Sequence, residues 1–69
     1  MKRMYIGTIK ICEGLIFQSA VLVEYDTALD DIETVEQKVK EDVAKTFNKK
    51  FNTLNRFISP NEVMLKIRN

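Results

Sequence analysis

At Asp26 the spacing of the apolar residues changes, and that change constrains the fold more than any other feature of the chain. Before it, residues 4–12 and 15–25 are rich in Ile, Val, Tyr and Phe and are parted by Glu13-Gly14. Such runs on either side of a two-residue turn read as a β-hairpin, with Gly14 free to take the positive φ the turn requires. After it, Ile32, Val35, Val39, Val43, Phe47, Phe51 and Leu54 recur three or four apart, the period of one face of an α-helix. Asp30 followed three residues later by Glu33 resembles a capping box, so the helix is expected from about Asp31 to about Lys50 with Asp30 as its cap.

Beyond the helix, Arg56-Phe57-Ile58 is expected to be briefly extended, and Ser59-Pro60-Asn61 to turn. Glu62 to Arg68 then alternates as a strand, with Val63, Leu65 and Ile67 on one face and Met64 and Lys66 on the other. The order is β-β-α-β. It predicts an α+β fold, a single small domain over residues 1–69, in which an antiparallel sheet carries one helix packed on one face.

In the second strand both faces are apolar. Leu15, Phe17, Val21, Val23 and Tyr25 occupy odd positions, and Ile16, Ala20 and Leu22 even ones. A strand of that kind is usually covered on both faces, yet a single helix covers one. Alternation assigns Met4, Ile6, Ile16, Ala20, Leu22 and Met64, with Cys12, to the face the helix does not reach. An apolar face left in this way is an interface or a liability, and methionines suit adaptable contacts. The length points the same way. A chain of 69 residues buries only ~60% of the surface its unfolded form exposes, and small scaffolds usually add a disulfide, a metal or a partner. With one cysteine and no histidine, an internal disulfide and a four-ligand zinc site are both excluded. Self-association or a larger protein partner remains, and a homodimer is the expected state.

The stretch KTFNKKFNTLNRF, residues 45–57, mixes aromatic and basic residues as a nucleic-acid surface does. On a helical wheel with Ile32 at zero, Phe47 and Phe51 fall at roughly 60° and 100°, and Lys45 and Lys49 at roughly 220° and 260°. Stacking a base while holding its phosphate needs both residue types on one surface, so the phenylalanines read as core and these lysines as solvated. Lys50 falls in the apolar stripe, which means that it snorkels or that the helix ends there. Phe57 fits no apolar period. Lys49, Lys50, Arg56, Phe57, Lys66 and Arg68 therefore form the candidate set for an alternative reading, weak contact with nucleic-acid phosphates.

Charge is sorted along the chain although it sums to +1. Residues 24–42 hold eight acids against two lysines, and residues 43–69 six cations against one acid. Acids early in a helix and lysines late is what the helix dipole favours. The acids Glu24, Asp26, Asp30, Asp31 and Glu33 lack the alternate-position Asp pattern and sharp-turn Gly of a calcium loop. A lesser reading of them is an acidic edge that imitates phosphates.

Catalytic constellations are not evident in the sequence. There is no histidine for a triad or general base. Gly7 and Gly14 make no phosphate-cradling loop, and Cys12 reads as a small buried residue at a strand end. No enzyme activity and no cofactor are expected. Lys10, Glu13 and Gln18 interrupt the N-terminal apolar run, so a signal peptide is not expected and a cytoplasmic location is. The function expected is that of a small protein-binding module acting through the apolar sheet face or a sheet edge. In size, composition and element order it has the style of phage or mobile-element inhibitors and accessory factors.

Overall fold

A computed structural model describes residues 1–51 and 57–68, which leaves Leu54, Arg56 and the asparagines at 52 and 55 outside the described residues. Strand β1 spans Lys2–Cys12, β2 Leu15–Glu24, helix α1 Ile32–Lys50 and β3 Met64–Arg68. The α+β expectation holds: a three-stranded antiparallel sheet carries one helix. The strand order is β2-β1-β3, so the long first strand is central and both its neighbours are edges.

The hairpin forms where the sequence places it. Gly14 sits in the turn at φ 80°, a conformation that a side chain with a Cβ resists. From Lys2 opposite Glu24 to Lys10 opposite Ile16 the pairing is regular, and the register then shifts so that Cys12 lies opposite Leu15. The extra residue, Ile11, is the local cost of joining two strands through so short a turn.

The helix lies across the central strand because β1 carries a glycine at the crossing. A Cβ on Gly7 would stand 2.7 Å from a Val43 methyl carbon, closer than real carbon atoms approach. Tyr5 and Ile9 flank that point and are fully buried, as are Phe47 and Ile58, with Val39, Val43, Ala44 and Val63 completing the core. Phe17 and Phe51 pack edge-on to one another at 5.7 Å, and Phe17 meets Phe47 at 5.5 Å, so three aromatics close the core at one end. The Tyr5 hydroxyl donates to Glu36 Oε2 at 3.1 Å. Burial pushes the phenol of Tyr5 up, a shift that its contact with Arg3 opposes.

Four local expectations are corrected. The helix N-cap is Asp31, whose side chain accepts from the Glu33 N–H. Asp30 instead accepts from the Asp26 N–H at 2.8 Å, so its carboxylate organises the preceding turn. Cys12 is exposed, and the register shift sets it opposite Leu15, in the helix-side row rather than on the open face. The final strand begins at Met64 rather than Glu62, after a 3₁₀ turn over Pro60–Glu62. Phe57 and Ile58 are not in a strand. Lys50 is the last helical residue, which resolves its position in the apolar stripe.

The crossing gives a direct test. Gly7→Ala should lower stability by about 1–3 kcal/mol in denaturant titration, the usual cost of overpacking. Adding Val43→Ala should recover part of that loss, because the two sites share one space. Independent, additive losses would show that the helix does not approach β1 as described.

Candidate functional site: the open face of the sheet

Alternation along three paired strands builds the site. Tyr5 and Gly7 point to the helix, so even-numbered residues of β1 point away from it, and their partners follow. Across the sheet run the rows Leu22–Met4–Arg68, Ala20–Ile6–Lys66 and Gln18–Thr8–Met64. Ile16 opposite Lys10 and Glu24 opposite Lys2 close the two ends. The candidate interface residues Met4, Ile6, Ile16, Ala20, Leu22 and Met64 are thus brought onto one face, the one without the helix.

That face is open. Leu22 is 62% exposed, Met64 66% and Ile16 54%. Met4 and Ile6, on the central strand, are half-buried between their neighbours. Its border is mostly basic. Lys2, Lys10, Lys66 and Arg68 surround the aliphatic floor, and Glu24 is the acid among the described residues of that face. Lys10, Lys66 and Arg68 stand opposite Ile16, Ile6 and Met4 rather than opposite acids. The side toward β2 carries no cation. Sequence periodicity locates the floor, whereas the basic border depends on strand order and only becomes visible once β3 lies beside β1.

The alternative set does not gather in this way. Lys66 and Arg68 lie on the open face, whereas Lys49 and Lys50 end the helix on the opposite side, and Arg56 falls outside the described residues. Phe47 is fully buried and Lys45 and Lys49 are exposed, as the helical wheel requires. Phe57 is another matter. It is 81% exposed and, with Lys45, Asn48, Lys49 and Pro60, lines a groove of about 550 Å³ beside the helix.

Asn48 holds the far wall of that groove. Its amide donates to the Ile58 carbonyl at 3.0 Å and its carbonyl accepts the Ile58 N–H at 2.9 Å. A side-chain amide has the same donor and acceptor pair as a peptide group, so it continues the backbone pairing where no strand is present. Sequence periodicity does not reveal this role, since nothing local marks a partner ten residues away.

The acidic stretch is taken up by its own backbone. Asp26 Oδ1 accepts from the Ala28 N–H, and Asp30 and Asp31 act as described above. Among the described residues no group of His, Cys, Asp and Glu is placed to hold a metal ion, and no helix is long and apolar enough to cross a membrane. No protein-family model, curated protein or solved structure matches the chain.

Asn48→Ala leaves two buried backbone groups of Ile58 without partners. It should cost about 2 kcal/mol and open the segment around Phe57 to limited proteolysis. An unchanged cleavage pattern would remove Asn48 from its anchoring role.

Proposed function

We propose that this protein is a non-catalytic protein-binding module whose docking surface is the open face of the sheet. The observation that supports it is an aliphatic floor of Met4, Ile6, Ala20 and Leu22 bordered by Lys2, Lys10, Lys66 and Arg68. A contiguous apolar patch rimmed by polar residues marks an interaction site, and the border defines its complement. A segment with aliphatic residues in its centre and Asp or Glu at its margins satisfies both parts, since complementary charge steers approach and sets register. The floor offers no aromatic ring on which a base would stack, which favours a protein segment over nucleic acid here. A module of this kind acts by occupying its partner, the mode of an inhibitor or accessory factor.

Two labelled amphipathic helical peptides test the reading by fluorescence anisotropy. Both carry the same leucine face, one with glutamates and the other with lysines on its polar face. The acidic peptide should bind and the basic one should not. Met64→Asp should weaken the acidic peptide by roughly tenfold or more, as should Lys66→Glu combined with Arg68→Glu. All of these side chains are exposed, so circular dichroism should be unchanged. Equal binding of the two peptides, or binding that survives Met64→Asp, would sink the proposal.

One observation favours a second reading, weak contact with single-stranded nucleic acid. Phe57 is exposed beside Lys45 and Lys49, the pairing of ring and cation that such contact needs. On this reading an oligothymidylate binds with a steep salt dependence, and Phe57→Ala removes the binding. Loss at Met64→Asp instead would assign the contact to the sheet face.

A further inference from the structure

The two edges of the sheet are unlike. β3 has five residues, two of them Lys66 and Arg68, and short charged strands are how natural edges avoid pairing with other chains. β2 has ten residues. From Leu15 to Val23 it carries no charge and no proline, and the register irregularity of the hairpin falls on β1 between Lys10 and Cys12, so nothing blunts this edge. No described strand lies beyond it.

From this edge we infer that two copies of the chain join by antiparallel pairing of β2 with β2, about a two-fold axis at Ser19. The inference goes beyond the open-face reading and uses the edge of the strand rather than its face. Reading Leu15–Val23 forward against itself reversed sets Leu15 opposite Val23, Ile16 opposite Leu22 and Phe17 opposite Val21. Gln18 then meets Ala20 on either side of the central Ser19. Apolar residues meet apolar ones at both ends, and small or uncharged residues meet in the middle. A foreign strand has no reason to match this pattern; a reversed second copy matches it by symmetry, as an isologous interface requires.

An independent feature on the helix side agrees. At one end of β2, Leu15 is 52% exposed although it shares the helix side with the half-buried Phe17. At the other end, a groove of about 290 Å³ lies between β2 and the helix, with Val21, Val23, Val35 and Val39 in its wall. Antiparallel pairing places the Leu15 of each copy opposite Val23 of the other, at the mouth of that groove. One exposed leucine and one groove walled by four valines thus meet, twice per dimer. Stacking the two open faces instead would set Lys2, Lys10, Lys66 and Arg68 of both copies against one another, and like charges held together oppose association.

Sedimentation equilibrium on the intact chain tests the inference. The wild type should be a dimer. Leu15→Glu carries a carboxylate to a groove lined by three acids, Glu24, Asp30 and Asp42, against the single cation Lys38, so it should raise the dimer dissociation constant on the order of 100-fold. Circular dichroism should show the same fold, since Leu15 is half-exposed in the single chain. In a Cys12→Ser background, Ser19→Cys should form a covalent dimer under mild oxidation, and Gln37→Cys, on the exposed helix, should not. A monomeric wild type overturns the inference, as does a dimer that persists unchanged in Leu15→Glu. The acidic-peptide test uses Met64, at the opposite side of the sheet, so failure of one reading is distinguishable from failure of the other.

Discussion

The contact between Gly7 and Val43 sets the geometry on which everything else depends. Without a side chain at Gly7, the helix settles onto the middle of β1, and Tyr5, Ile9, Val39 and Phe47 close around it. A helix is about 10 Å across with its side chains, while three strands span about the same width between outer backbones. One helix seated on the central strand therefore covers the middle of one face. It leaves the flank of β2 half-covered and the other face untouched. Both candidate surfaces, the open face and the groove along β2, are consequences of that single placement.

Charge divides the same architecture. Acids gather where the chain enters the helix and are used at once, by Asp26 and Asp31 on nearby backbone N–H groups. Cations gather at the helix end and on the open face, where Lys10, Lys66 and Arg68 look across the strands at apolar side chains. A net charge of +1 conceals this division. The open face is locally basic, and long-range attraction depends on the local field rather than on the total.

Much of this was legible in the sequence, for reasons that residues make plain. The hairpin was readable because Gly14 and the β-branched runs around it are local signals, and the helix because Ile32 to Phe51 keep one period. Local signals also explain the errors. Asp30 and Asp31 are adjacent carboxylates with equal claims to the cap, and the choice between them depends on Asp30 having a closer donor in Asp26. Alternation puts Cys12 on the open face because a bulge in β1, which sets it opposite Leu15 instead, leaves no trace in the apolar pattern. Strand order was not readable. The chain does not say whether β3 joins beside β1 or beside β2, so neither the basic border of the open face nor the bare edge of β2 could be foreseen. The bond between Asn48 and Ile58 was hidden for the same reason, being a contact across space.

The two proposed surfaces have one physical origin and act on one another. A chain this short has a marginal core, and on the β2 side Leu15, Ile16 and Leu22 all meet water. Pairing two β2 strands turns two exposed edges into the centre of a six-stranded sheet. On the open side it brings Ile16 and Leu22 of one copy against Leu22 and Ile16 of the other. The aliphatic floors then run together across the seam, where neither copy has a cation. Lys66 and Arg68 of the two copies move to the outer margins, about 4.8 Å further out for each intervening strand. A surface bare in its middle and basic at both sides is longer than any single chain offers. It holds an extended acidic-margined partner better than the half-surface does, so dimer formation would strengthen partner binding, with Ala20 and Leu22 belonging to both the seam and the floor.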